Sequence, residues 1–270
     1  MKGIEPYSKH KIEVIEWHPL IEKKPDIIYL HYGAFINSYI DMMKDHREIR
    51  WIAGVMGPAC FGRMGRNEVE YLDGVMVLDR TYASYAREKF PNTPIYFADV
   101  GVDTKMFSRQ PTPKYFSVGM AENLTFTYDC IPLAQFLNLP YPKKMSVEGL
   151  GGFRDFGKMP LFYKDISVLV DVRTWACPGG MMYLEAGATG RPVVCMESGT
   201  TAEWLPKEWL AKDINHMAEL LTLLHDDKNI YEKASERFYQ MAQSRDFSVV
   251  ATEYDRMFEG AMNNVRTSNC

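Results

Sequence analysis

Two kinds of hydrophobic pattern alternate along the chain. Short apolar, largely β-branched runs occur at Ile12 to Ile15, Asp26 to Leu30, Trp51 to Val55, Gly74 to Leu78, Ile95 to Ala98, Lys114 to Val118, Ile166 to Val172 and Pro192 to Met196. Runs of this length predict strands, and continuous apolar ones suit parallel strands buried on both faces. Between them lie stretches that predict helices near Ala34 to Lys44, Arg80 to Phe90, Met181 to Thr189, Ile214 to Leu224, Ile230 to Gln243 and Phe247 to Met262. The last three are amphipathic or capped, with Asp246 or Ser248 as the cap of the final one. Gly190 sits where the helix ending at Thr189 wants a left-handed residue, just before Pro192. Alternating strand and helix predict an α/β chain with parallel sheets.

In such sheets ligands bind beyond the carboxyl ends of the strands, where loop amides and helix N-termini offer partial positive charge. Two loops stand at that edge. Ala176-Cys177-Pro178-Gly179-Gly180 carries two glycines able to take positive φ and to let a ligand approach the backbone, and Glu197-Ser198-Gly199-Thr200-Thr201 is a second small, polar loop. Glu185 falls in the first turns of the helix opened by Gly179-Gly180, so its carboxylate can accept hydrogen bonds from sugar hydroxyls; the plainer alternative is a solvated helix glutamate. Cys177, at a helix N-terminus, is either a thiol of lowered pKa or a small residue packed beneath the loop.

The residues from about 95 to 205 resemble the GT-B glycosyltransferases, in particular the family 4 type (glycosyl transferases group 1). Five segments carry the resemblance in chain order: Gly101-Val102-Asp103-Thr104-Lys105-Met106-Phe107; Tyr115-Phe116-Ser117-Val118-Gly119; Met159-Pro160-Leu161-Phe162-Tyr163; Gly179 through Glu185-Ala186; and Gly190-Arg191-Pro192-Val193-Val194. The resemblance implies two Rossmann-like lobes facing a cleft, with the C-terminal helix crossing back to the first lobe. With the boundary at the proline-bearing Gln110-Pro111-Thr112-Pro113, the expected domains are a reduced acceptor-side lobe at 1–110, a nucleotide-sugar-binding lobe at 111–245 and the returning helix at 246–270. It also implies an enzyme that moves a hexosyl or pentosyl group from a nucleoside diphosphate sugar, a UDP or GDP conjugate, to a hydroxyl with retention at the anomeric carbon, without a metal ion or other cofactor.

For the donor, the resemblance implies contacts from Gly119, Pro178, Gly179, Gly180, Met181 and Glu185, with Leu150 to Phe153 bordering the base. Arg154, Lys158 and Arg173 are candidates by neighbourhood for the diphosphate's cation, because Met120 to Asp129, where the family carries its basic residues, has none. The catalytic candidates are Glu185, Cys177, which stands eight residues earlier where the family has a second glutamate, and His31. His31 ends the run Lys24-Pro25-Asp26-Ile27-Ile28-Tyr29-Leu30, and a titration near neutral pH would be its advantage. No histidine follows Trp51 to Val55; instead Gly57, Arg63 and Arg66 lie in a glycine-bearing loop suited to an anionic acceptor.

The acceptor stays open between saccharide, lipid-linked, protein and modified DNA, and a homo-oligomer that completes the small first lobe is compatible with the pattern. Phage enzymes that glycosylate hydroxymethylated bases share this fold, but Lys and Arg number 31 against 35 acids, for a net charge of −4, so composition provides no electrostatic footprint for a polyanion. A catalytically silent relative that binds a nucleotide sugar or a partner protein is a second reading, and a doubly wound binding protein of another family a third. No run approaches about 18 apolar residues, Met1 to Pro6 does not read as a signal peptide, and five cysteines without metal-type spacing suit a reduced compartment. A cytoplasmic protein is the expectation.

Overall fold

The computed structural model describes residues 3–13, 24–31, 33–55, 60, 62, 64, 69–78, 80–123, 130–148, 156–174, 180–198 and 201–264. By packing, the chain forms two units, one of Met1–Val100 with Ser248–Cys270 and the other of Gly101–Phe247. Among the described residues no helix is long and apolar enough to cross a membrane.

The first unit holds four parallel strands in the order β1-β2-β3-β4: β1 Ile27–Leu30, β2 Arg50–Val55, β3 Gly74–Val77 and β4 Ile95–Phe97. Every described residue of β3, and all of β2 after Arg50, is buried, as continuous apolar runs require. Trp51, Val55, Val75 and Val77 form the core with Ile36, Met43, Tyr82, Ala86 and Phe90 from flanking segments. Asp73, just ahead of β3, accepts from Trp51 N at 2.9 Å and Arg50 Nη1 at 2.8 Å, which ties the starts of the two central strands. The expected helix near Ala34 to Lys44 is a 3₁₀ segment, Gly33–Tyr39, followed by one short helix, Ile40–Asp45. The expected strand at Ile12 to Ile15 lies partly outside the described residues, and residues 11–13 are irregular.

The helix Phe247–Asn263 packs on this unit. Tyr254 stacks edge-on to Tyr29 with ring centroids 6.2 Å apart, Phe258 does so to His10 at 5.9 Å, and the buried Asp255 accepts from Ser8 Oγ and from Lys9 N. Asp246, just ahead of this helix, accepts from the Thr104 hydroxyl at 2.6 Å.

The second unit holds five parallel strands in the order β6-β5-β7-β8-β9: β5 Val118–Asn123, β6 Lys143–Glu148, β7 Val168–Asp171, β8 Val193–Met196 and β9 Leu210–Ala211. Helices Cys130–Leu137, Met159–Lys164, Met181–Ala188, Thr201–Trp204, Ile214–Asp226 and Lys228–Gln243 accompany it. Gly190 takes φ +77°, the left-handed conformation expected after the helix that ends at Ala188.

One strand differs from the expectation in a way that matters for the site. Residues 114–117 are irregular, and β5 begins at Val118 and continues through Gly119-Met120-Ala121-Glu122-Asn123. The aromatic stretch Tyr115-Phe116 reads as strand by propensity, yet Tyr115 is 73% exposed and Phe116 packs its ring on Tyr141 and His225. Central position in a sheet overrides the weaker propensity of the MAEN segment, whose backbone pairs with β6 throughout.

Candidate functional site

Between β5 and β7 the strand order of the second unit reverses, since β6 lies on one side of β5 while β7, β8 and β9 continue on the other. Such a reversal opens a crevice at the carboxyl ends of the two central strands, here at Asn123 and Asp171. Residues that follow these ends, and the helices beginning just beyond them, are therefore the candidates for ligand contact.

Glu185 is on the helix Met181–Ala188, which starts after β7, and is only 6% exposed. Its Oε2 accepts from the Tyr163 hydroxyl at 2.8 Å, and Oε1 accepts no hydrogen bond from the described residues. Burial, partly offset by the Tyr163 bond, pushes its carboxyl up to about 7. Tyr163 is in the last turn of the helix Met159–Lys164, and burial beside Glu185 holds its phenol well above the ordinary range. A solvated helix glutamate does not describe this residue: it is buried, and among the described residues only one of its two oxygens accepts a side-chain hydrogen bond.

Asp171, Arg173 and Tyr183 form a second polar group at the end of β7. Arg173 clasps Asp171 through Nε, at 3.0 Å to both oxygens, and through Nη2 at 2.6 Å, while the Tyr183 hydroxyl donates to Oδ2. Arg173, expected as a cation for a diphosphate, thus already has a carboxylate partner. Lys158 is exposed in the 3₁₀ turn Phe156–Lys158 that leads into the helix Met159–Lys164. Met181 is 41% exposed at the first turn of its helix.

The glycines need correction. Gly180 has φ −64°, so it is not there for a left-handed turn; a Cβ on it would stand 2.6 Å from the Tyr183 ring, and close approach of that ring is the requirement. Gly119 is the second residue of β5, about 13 Å of strand before that strand's carboxyl end at 3.3 Å per residue, and pairs with Leu169, two residues before Asp171. A Cβ there would meet Ile166 at 2.5 Å and Phe162 at 3.0 Å, so packing against the strand accounts for the glycine. In the second polar loop, Ser198 N donates to Thr201 Oγ1 at 3.0 Å, and both residues are buried.

His31 lies just beyond β1 in the first unit, its Nδ1 3.4 Å from the Tyr29 hydroxyl. Desolvation on its packed side lowers its pKa to about 4, so the neutral-pH titration expected of it is lost. Gly57, Arg63, Arg66, Leu150 to Phe153, Arg154, Cys177, Pro178 and Gly179 lie outside the described residues. Among the described residues, no cluster of three or more His, Cys, Asp or Glu side chains is arranged to hold a metal ion.

Sequence reasoning missed Asp171, Tyr183 and Arg191. The signal for Asp171 was an acid inside an otherwise apolar run, which demands a partner. Arg191, inside a quoted motif but without a role, is 1% exposed and donates to the carbonyls of Tyr163 at 2.9 Å and Pro111 at 2.7 Å. It anchors residues 110–111 and the end of the helix Met159–Lys164 to β8.

No protein-family model matches the sequence, and no curated protein matches it. The fold places the chain among the GT-B glycosyltransferase structures. HepE of Anabaena, solved with UDP and glucose, superposes with TM-score 0.72 at 13% identity, over 88% of this chain and 79% of HepE. Sucrose-phosphate synthase of Thermosynechococcus elongatus gives TM-score 0.65 at 13% identity, over 87% and 73%, and a glycosyltransferase of Rickettsia africae gives 0.64 at 9%, over 95% and 85%. At such identities the likeness establishes the fold.

Proposed function

We propose that this protein transfers a sugar from a nucleoside diphosphate sugar to a hydroxyl acceptor, with the donor bound at the carboxyl edge of the β6-β5-β7-β8-β9 sheet. The observation that carries the reading is Glu185: a carboxylate 6% exposed, on the helix after β7 at the point of strand reversal, with one oxygen bonded to Tyr163 and the other, among the described residues, without a bonded donor and so suited to accept from a ligand. Vicinal ribose hydroxyls are donors of the right kind, and HepE, which shares the fold, was solved with UDP-glucose. In the reaction the acceptor oxygen bonds to the anomeric carbon and the bond from that carbon to the diphosphate oxygen breaks. The electron pair stays with the departing nucleoside diphosphate, and the acceptor's proton passes to that diphosphate or to solvent. The chain contributes by orienting the donor and by opposing the charge that grows on the diphosphate, a role for amides and basic side chains that needs no metal. Retention at the anomeric carbon belongs to this reading, as does a location in the cytoplasm.

The experiment is a calorimetric and thermal-shift screen of UDP, GDP, ADP and their common sugar conjugates. A ligand at 100 times its Kd stabilises by about 2.7 kcal/mol. One nucleotide standing out names the donor for an acceptor screen that includes DNA with hydroxymethylated bases; binding by none overturns the reading.

A second reading, a protein that binds the nucleotide sugar without transferring it, is favoured by the internal pairing of the site's charges, Glu185 with Tyr163 and Arg173 with Asp171. Slow hydrolysis of the donor would exclude it.

A further inference from the structure

Asp171 closes a strand whose other residues, Val168 to Val170, are apolar and buried, and it is itself 2% exposed. A carboxylate in such a position must be bonded on every side to keep its charge. Arg173 supplies most of the bonds: its backbone N donates to Oδ1 at 3.0 Å, and its Nε and Nη2 grip the carboxylate edge-on. The Tyr183 hydroxyl completes the set by donating to Oδ2, and Nη2 of Arg173 lies 3.4 Å from that hydroxyl. Gly180 admits the Tyr183 ring, since any side chain there would collide with it. Three residues, Asp171, Gly180 and Tyr183, are thus spent on one guanidinium.

A guanidinium gripped along its Nε and Nη2 edge has its plane fixed, and the counter-charge lets its side chain stay charged while only 12% exposed. This happens at the carboxyl end of β7, beside the strand reversal. Across the reversal, Met120 to Asp129 contains no lysine or arginine. Arg173 is thus a fixed cation on the β7 side of the reversal.

We propose that Asp171 and Tyr183 are positioning residues that hold Arg173 against the diphosphate of the donor. The inference rests on the nucleotide-sugar reading above. It differs from a loop-closing ion pair in what it does to ligand selectivity, because a purely structural clasp contributes nothing to the preference for a diphosphate over a monophosphate.

The test titrates the wild-type chain, Tyr183→Phe and Arg173→Lys with UDP and UMP, GDP and GMP, and ADP and AMP, and follows each variant's melting by circular dichroism. The readout is the ratio of diphosphate to monophosphate affinity for the nucleotide that binds. Arg173→Lys keeps the charge but loses the planar fork, and is expected to lower the ratio about tenfold or more. Tyr183→Phe keeps the ring packing and is expected to lower it roughly threefold to tenfold, the scale of one hydrogen bond. If both variants melt within a few degrees of wild type and retain its ratio, the proposal is overturned while the donor site stands. If the wild-type chain binds no nucleoside diphosphate, the donor reading falls and the proposal with it.

Discussion

Replacing Glu185 by glutamine removes the charge while leaving an oxygen to accept from the Tyr163 hydroxyl. The folded carboxyl titrates at about 7 against an ordinary 4.5, because burial disfavours its ionised form. The folded chain therefore holds this proton more tightly than the unfolded chain does. Its stabilising effect is complete below about pH 4.5 and is lost as pH rises to about 7, beyond which the full penalty applies. At about 1.36 kcal/mol per pH unit, the penalty at pH 8 is about 3 kcal/mol. Glu185→Gln escapes it, so the variant gains on wild type by about 3 kcal/mol between pH 4.5 and pH 8. Any cost of fitting the amide group is independent of pH and cancels in that comparison. For a chain of this size the gain corresponds to roughly 6 to 12 °C in Tm. The assay is thermal and urea unfolding of both proteins at pH 4.5, 6 and 8, followed by circular dichroism. A Tm difference between variant and wild type that stays constant across the three pH values would refute the reasoning. The same variant is expected to bind the nucleotide more weakly, as it has exchanged an acceptor for a donor where ribose hydroxyls are to be received.

The glycines and the buried arginine offer further checks. Gly119→Ala drives a methyl into Ile166 and Phe162 and should destabilise by about 1 to 3 kcal/mol; nucleotide affinity measured below the transition should stay as in wild type, and a selective loss of affinity would return Gly119 to the ligand edge. Gly190→Ala, at φ +77°, should cost about 1 to 2 kcal/mol in urea unfolding, and a neutral result would mean that the helix end is not left-handed in solution. Arg191→Ala strips the donors from the Tyr163 and Pro111 carbonyls and should cost about 3 kcal/mol or more, with Arg191→Lys recovering only part; equal stability of the alanine variant would show that residues 110–111 are held by other means.

Legibility in the sequence followed the physical source of each signal. Trp51 to Val55 and Pro192 to Met196 are apolar runs whose burial is continuous, so their pattern and their structure say the same thing. Gly190 before Pro192 was equally plain, because only a positive φ needs a glycine there. β5 was displaced by several residues because exposed Tyr115 and ring-packed Phe116 mimic a strand, while Met120 to Asn123 are held in one by their neighbours. β6, with Lys143 and Lys144 at its start, and the two-residue β9 carry no apolar run and were not foreseen. At the site, Glu185 was visible from its place after a glycine pair, but its bond to Tyr163 joins residues 22 positions apart and exists only in three dimensions. At Gly180 a positive φ is expected from the sequence, whereas the structure gives φ −64° and a ring that needs room.

The helix Phe247–Asn263 completes the unit built from Met1–Val100, with Val250, Tyr254, Met257 and Phe258 buried. On the ribosome, those apolar faces of the first hundred residues remain uncovered until everything from Gly101 to Phe247 has been made. The order of synthesis is thus reversed in the order of completion: the second unit has all its strands and helices while the first still waits for its last. Removing the helix Phe247–Asn263 would therefore leave the unit of Met1–Val100 without the apolar face that covers it.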